Sequence, residues 1–515
     1  MELNEITQEA ILGWLAGELA RLSNGQVQRV DTHAAVVLLA GDHAYKVKRA
    51  VRYPYLDFST LAARKSALDR ELTLNRRSAP SLYRRVFSIN REDGGALLPL
   101  ESQAGSPIEW VLEMERFDRN QELDRLVERG ALELDLIDKL ATSIAGFHET
   151  CEPRSDMGGF EEMARLIAVN TDQLKAMATF LSAGRIQKLE QSSMATLEKH
   201  RALLEARRAR GFVRHCHGDL HLGNIVCIEG MPTLFDCIEF DERLACIDTL
   251  YDLAFLLMDL IRCERGLHAN RLLNGYIDAI PYADYAATLD GLALLPLFLS
   301  MRAAIRAHVS VTRVRSGAEG TAKSSALAYM KLAEEALAPT RPRLIAIGGL
   351  SGSGKSTFAR KLAPHLGLPL GSAILRTDVL RKRMMKVPLT ARLDETAYTP
   401  EASNAVYAEM MTHALRVLQS GHPVILDAVF ARQDERTAAR DLAESLAVPF
   451  SGIWLTAPYR ELSRRLDLRQ GDASDATRAV LDRQRTYDLG DLDWSKIETS
   501  TGIDDALPRA LEVIG

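Results

Sequence analysis

Two stretches hold residues whose types and spacing could do chemistry: HCHGDLHLGNIV (215–226) and GGLSGSGKST (348–357). In the first, Asp219 precedes Asn224 by five positions. A loop of that length can turn both side chains towards one phosphate. Twelve positions further on, Asp236 closes the run TLFD, where its carboxylate can offer an oxygen ligand to a hard cation that carries phosphates. In the second, GLSGSGKS satisfies GxxxxGK[ST] between an apolar run and a helical pattern, the context this motif requires. Gly349, Gly352 and Gly354, with Ser351 and Ser353 among them, let backbone N–H groups converge on phosphates, and the helix start adds partial positive charge. Lys355 then neutralises the β/γ-phosphates and the Ser356 hydroxyl coordinates magnesium. Thr357 serves helix packing or an α-phosphate contact.

The elements that must position these residues differ between the two halves. A helix is predicted over 5–23, followed by strands in AAVVLLAG (34–41), AYKVKRAV (44–51) and IEWVLEMERF (108–117), with a Leu-rich helix over 58–78. Beyond residue 120 the pattern is mostly helical, except for a loop and two short strands around EGMP within 215–240. The prolines of LAPTRPR (337–343) mark a joint near residue 340. From there strand and helix patterns alternate: LIAIGGL, KSTFARKLAPHL, SAILRTD, EASNAVYAEMMTHALRVLQS, PVILDAVF, ERTAARDLAESLA, FSGIWLTA and YRELSRRLDLRQ. That alternation predicts a parallel sheet covered on both faces.

On His217, Gly218, Asp219, Asn224 and Asp236, the first part resembles the aminoglycoside phosphotransferase-like kinase superfamily, which includes choline and fructosamine kinases. The resemblance implies an α+β, protein-kinase-like bilobal fold, with Asp219 as catalytic base, Asn224 and Asp236 as magnesium ligands, and His217 supporting the loop backbone. Asp248 and Asp252, in IDTLYDLAFL, match the segment that buttresses the loop. The family also needs a lysine on the α/β-phosphates and a glutamate to align it. Lys46 and Lys48 lie on one face of their strand. Lys46, at the centre of the run, is favoured, with Glu71 as its partner. EMERF (113–117) resembles the adenine-binding hinge. Lys48, Arg76 and Arg77 read as surface charges, and His215 and His221 as residues that flank the motif and need not touch substrate. No GxGxxG precedes AAVVLLAG.

The second part resembles small P-loop kinases, especially the 5′-kinase domain of polynucleotide kinase and gluconate kinase. By that resemblance Asp378 activates the acceptor hydroxyl and Arg381 binds acceptor or phosphate. Asp427, ending PVILD, sits where a Walker-B-type acid supports magnesium or acceptor. Arg469 and then Arg465 close over the transferring phosphoryl group, where a guanidinium fork suits phosphate oxygens. GDASDAT (471–477) resembles a lid-loop signature and is assigned no chemistry. Tyr398 and Tyr407 read as acceptor-cleft or core aromatics. The whole chain, including YPYLDFSTL and LNRRSAPSLY, resembles bacterial fusion proteins joining these two kinase types, with domains at 1–338 and 342–515.

Bulk properties bound the rest. The chain has 515 residues and net charge −5. Residues from Arg341 onward carry +2 and the remainder −7, without the basic stripe of a nucleic-acid binder. Six cysteines form no CxxC pair, which suits a reducing compartment. MELNEITQEA lacks a secretory pattern, and GLALLPLFLSM (291–301) is too short to span a bilayer. The expectation is a cytoplasmic protein, with no membrane partner, using ATP and Mg2+ at two sites to phosphorylate hydroxyls of small molecules. One alternative makes the first domain a ligand or partner sensor for a catalytic P-loop kinase. A lower-ranked one makes the second domain a nucleic-acid 5′-end kinase.

Overall fold

The computed structural model describes residues 7–53, 56–92, 95–100, 102–176, 181–314, 319–367, 369–468 and 473–515, with backbone only at 311–314 and 319–322. The chain forms two compact units. One comprises Met1–Ser143, Phe147–Gly158 and Arg208–Leu253; the other comprises Ile144–Gly146, Gly159–Arg207 and Ala254–Gly515.

The first unit is built on an antiparallel sheet whose strands run, in spatial order, Gln28–Asp31, Ala35–Ala40, His43–Lys48, Ser106–Glu115 and Tyr83–Arg91. The helix Gln8–Ser23 covers one face, packing Leu12, Leu15 and Leu19 against Val36, Leu38, Val47 and Val111. The helix Leu61–Asn75 covers the other, with Leu68 against Leu112 and Tyr83. Thr60 caps that helix by accepting from Ala63 N at 3.2 Å. Strand alternation therefore sends Val47 into one layer and Lys46 and Lys48 towards the helix that bears Glu71. The two outer strands are not legible in the sequence. Arg84, Arg85 and Arg91 interrupt the apolar alternation of one, and the other is mostly exposed. Edge strands tolerate such charges because one side faces water. Ile225–Ile228 and Met231–Leu234 pair across Glu229 and Gly230, both at positive φ, which is the two-residue turn that matches strand twist.

The second unit joins a helical lobe to a five-stranded sheet, parallel throughout. Its strands run Ala373–Arg376, Val424–Asp427, Leu344–Gly349, Phe450–Thr456 and Ser495–Glu498, or 2-3-1-4-5 in chain order. The phosphate-loop strand lies at the centre, where the direction of winding reverses and ligand crevices form in such sheets. Ile345, Ile347, Ile425 and Ile453 pack with Phe358 and Leu362 of the helix Lys355–Leu362 and with Ile514 of the helix Ile503–Ile514. The predicted strand–helix alternation corresponds to this sheet. Its last strand and last helix lie beyond the pattern read in the sequence. The linker lies between a helix ending at Ala336 and a strand starting at Leu344. The apolar run 291–301 belongs to a longer helical stretch, Tyr282–Ser310, long and apolar enough to cross a bilayer but with 83% of its apolar window buried inside the protein. Its hydrophobicity is that of a core helix.

Candidate functional site

In the first unit, Lys46 Nζ lies 2.6 Å from Glu71 Oε1 and 2.7 Å from Asp236 Oδ1. Lys48 Nζ lies 2.5 Å from the other Glu71 oxygen and 2.6 Å from Glu239 Oε1. The reading of Lys48 as a surface charge is therefore corrected: it is 3% exposed and belongs to the same buried network. The strand period that aimed Lys46 at Glu71 aimed Lys48 there too. Burial alone would push the Lys46 ammonium down, but Asp236 and Glu71 hold it well above the usual lysine range. Burial likewise opposes ionisation of Asp236, and Lys46 overrides it, so that this carboxyl sits below the usual range. Arg77 needs a similar correction. It is half-buried, donates to His215 O at 2.7 Å and lies 5.2 Å from the Phe147 ring centre, whereas Arg76 is exposed.

Removing one partner from a buried ion pair costs about 3–5 kcal/mol, because the other charge stays buried and unpaired. Lys48→Met is expected to lower unfolding stability by about 3 kcal/mol, read from urea denaturation. Lys48→Met with Glu239→Leu should regain most of that loss.

The loop around Asp219 is held from several sides. Asp252 is fully buried and accepts from His217 N at 3.2 Å and Gly218 N at 2.9 Å, while His148 Nε2 lies 3.0 Å away. Gly218 has φ 84°, and a Cβ there would meet Leu244 O at 3.0 Å, so no other residue fits without strain. His217 Nε2 donates to Phe235 O at 2.9 Å, and burial depresses the ring's basicity, which makes it a neutral strut. Asn224 Nδ2 donates to Asp219 O at 2.9 Å and to Asp219 Oδ2 at 3.0 Å. That leaves the Asn224 amide oxygen as the group suited to a cation. Together with the Asp236 carboxylate, it offers the hard oxygens that magnesium takes.

His221 does more than flank. Its Nδ1 accepts from Gly223 N at 3.1 Å, which puts the ring proton on Nε2, 3.4 Å from Asp219 Oδ2. Asp236 has φ 64°, rare for a non-glycine residue. Tyr83 Oη accepts from Asp236 N at 3.1 Å, and Asn75 Oδ1 accepts from Cys237 N at 2.9 Å, pinning this turn. Asn75, four residues after Glu71 on the same helix face, was the available signal for that contact. EMERF (113–117) straddles the end of the strand Ser106–Glu115.

In the second unit, the loop 350–354 joins the central strand to the helix Lys355–Leu362. Gly352 and Gly354 have φ 82° and 90°, and a Cβ on Gly352 would meet Leu462 O at 2.5 Å. Lys355 Nζ donates to Gly349 O at 2.8 Å and Leu350 O at 3.2 Å, so the lysine curls over its own loop. Ser351 N is held by Gln484 Oε1 at 2.8 Å, and buried Ser353 Oγ has no hydrogen-bond partner among the described residues. Thr357 follows on the exposed side of the helix. Ser356 Oγ donates to Asp427 Oδ2 at 2.6 Å. A hydroxyl and a carboxylate so paired are the two protein ligands a phosphate-bound magnesium takes in loops of this kind, and the donor set fits.

Arg376 was missed in the sequence. It reaches Asp427 Oδ2 at 3.3 Å and Ser356 Oγ at 3.2 Å, placing a buried cation at this pole. Burial pushes the Asp378 carboxyl up, opposed by Arg376 and by a hydrogen bond from Ser474. Arg381 is buried, donates to Ala397 O and stacks 4.7 Å from the Tyr398 ring centre. Asp475 ties this side together. It accepts from Tyr398 Oη at 2.8 Å, Leu393 N at 3.1 Å and Lys382 Nζ at 3.3 Å. GDASDAT, given no chemistry in the sequence reading, thus supplies Ser474 and Asp475 to the surroundings of Asp378.

Arg465 reaches the loop from the helix Tyr459–Asp467, with Nη2 on Thr499 O at 2.6 Å, Nη1 on Thr499 Oγ1 at 3.0 Å and Nε on Glu461 Oε1 at 2.7 Å. Its donors brace the loop against Thr499. Arg464 is exposed and pairs with Glu461 at 2.7 Å. Arg469 lies outside the described residues. Tyr407 Oη accepts from Phe430 N at 3.0 Å, a packing role.

Proteins of Mycobacterium tuberculosis and Mycobacterium bovis described as uncharacterized are 30% identical to this chain over 472 residues, spanning 89% of it and 90% of theirs. Residues 104–289 match the phosphotransferase enzyme family and residues 344–487 an AAA domain family. This chain belongs to the family of those mycobacterial proteins, a fusion of an aminoglycoside phosphotransferase-like domain with a P-loop kinase domain. Both halves of the fusion are kinase-family domains, consistent with phosphotransferase activity. A shikimate kinase of Caulobacter vibrioides is 30% identical to the fusion protein over 130 residues, 25% of this chain and 58% of that enzyme. Among solved structures, a choline/ethanolamine kinase family protein from Mesorhizobium loti is similar at 12% identity, covering 64% of this chain and 95% of its own, with TM-score 0.38. A gluconokinase from Sinorhizobium meliloti is similar at 20% identity, covering 34% and 93%, with TM-score 0.25.

Proposed function

We propose that the fusion protein is a bifunctional ATP-dependent phosphotransferase, each site moving the γ-phosphoryl group to a hydroxyl of a small-molecule acceptor. The observation that carries this reading is that each site holds its own full charge set: Lys46–Glu71–Asp236 beside Asp219, and Lys355 with Ser356–Asp427 beside Asp378.

In the first site, Asp219, oriented by Asn224 and His221, takes the acceptor's hydroxyl proton as the oxygen attacks the γ-phosphorus. The new O–P bond forms as the bond to the β-phosphate oxygen breaks, and ADP leaves with that electron pair. Lys46, aligned by Glu71, binds α/β-phosphate oxygens. In the second site Asp378 takes the proton, and its raised basicity suits that role. Lys355 moves from the Gly349 carbonyl to the β/γ-phosphates. Arg381, stacked on Tyr398, anchors the acceptor. Magnesium would be held by Asn224 and Asp236 in one site and by Ser356 and Asp427 in the other, where it neutralises phosphate charge.

Calorimetry with ADP tests the reading. Two nucleotides are expected per chain, falling to one in Lys355→Ala. A single nucleotide at saturation would overturn it. If Asp219→Ala left every turnover unchanged while nucleotide still bound, the first domain would be a sensor.

A further inference from the structure

An edge strand presents unpaired N–H and C=O groups that folds cover or blunt. Ala373–Arg376 is an edge of the parallel sheet, and its outward groups are met by two asparagines of the helix Gly266–Ala279. Asn274 Oδ1 accepts from Ile374 N at 2.8 Å, and its Nδ2 donates to Ser372 O at 3.1 Å. One side-chain amide thus stands in for a peptide of an absent neighbouring strand. Asn270 Nδ2 donates to Leu370 O at 2.8 Å and Ser372 O at 3.0 Å. Both asparagines are buried, and Asn274 Nδ2 also donates to Asn270 O at 3.0 Å.

The edge strand leads directly into the helix Thr377–Met384, which carries Asp378 and Arg381. Two residues past Arg381, buried Arg383 donates to Ile280 O at 2.9 Å, to Ile277 O at 2.8 Å and to Asp278 O. Its guanidinium lies 4.3 Å from the Tyr285 ring centre. Carbonyls at a helix C-terminus lack intrahelical donors, and an arginine fork satisfies several at once. Arg416 Nη1 donates to both carboxylate oxygens of Asp290, at 3.0 and 2.8 Å, and His422 Nε2 donates to Leu292 O at 2.9 Å.

We propose that the helices over 266–292 are a working part of the P-loop kinase. Asn270 and Asn274 complete its sheet edge, and Arg383 is a positioning residue that sets the helix presenting Asp378 and Arg381. What is positioned rests on the function proposed above; the docking itself does not.

Amide hydrogen exchange on the full chain tests this. In Arg383→Ala and in Asn274→Leu, amides of 373–384 should exchange about tenfold faster, the worth of one lost hydrogen bond, while those of Leu344–Gly349 stay within twofold. Arg383→Lys, which keeps the charge but not the fork, should recover only part of the protection. The share of ADP binding that depends on Lys355 should stay within twofold in Arg383→Ala. Unchanged exchange over 373–384 in both variants would overturn the proposal, and so would a uniform rise across the whole sheet. If no ADP binding depends on Lys355, the proposed P-loop function fails, and the exchange pattern still decides the docking.

Discussion

Asp219→Ala is expected to lower transfer by the first domain about 10²–10⁴-fold, the usual worth of a positioned general base, with KM for ATP nearly unchanged. The split follows from geometry. Asp219 is tied to Asn224 and His221, whereas the charges proposed to meet the triphosphate are Lys46 and its partners. Removing the carboxylate therefore removes the proton acceptor and leaves the phosphate contacts. Turnover by the second domain should be untouched. The check is a screen of metabolite extract with γ-labelled ATP, comparing product sets of the parent and the variant. Products that vanish together belong to the first site.

Lys355→Ala should silence the complementary set, with turnover down about 10²–10³-fold, the range found when one preorganised stabilising group is removed from developing phosphate charge. Here nucleotide affinity should fall as well, because the same ammonium faces ground-state phosphates. Lys355 donates to the Gly349 and Leu350 carbonyls, at the strand end and the start of the loop, and its loss should leave the fold intact. Circular dichroism and the unfolding midpoint should match the parent within error. A variant that retains both product sets would refute the assignment.

The two motifs were legible in the sequence. HGDLHLGN and GLSGSGKS are short-range devices: the loop does its work within a few residues, so spacing alone carries the geometry. Glu71 as the partner of Lys46 was readable from one strand and the helix after it. Lys48 was misread because charge on a strand suggests solvent; Glu71 was already assigned to Lys46, and the second acid that offsets the burial of Lys48, Glu239, lies 191 positions away. Arg376, Gln484, Thr499 and Asp475 were invisible for the same reason: each contacts the P-loop site or its acceptor side across the fold, and no local pattern marks a buried polar residue as partnered.

Residue order along the chain sufficed to mark two motif-bearing loops and a parallel sheet, because backbone turns and hydrophobic periodicity are local properties. It could not say which charges would be buried together. That depends on long-range packing, in which a carboxylate such as Glu71 is tolerated at full burial only because two lysines from a facing strand arrive beside it. Nor could it say that Asn270 and Asn274 would finish a sheet edge about a hundred residues further along the chain. A side-chain amide can replace a peptide neighbour only after the two elements have met in space.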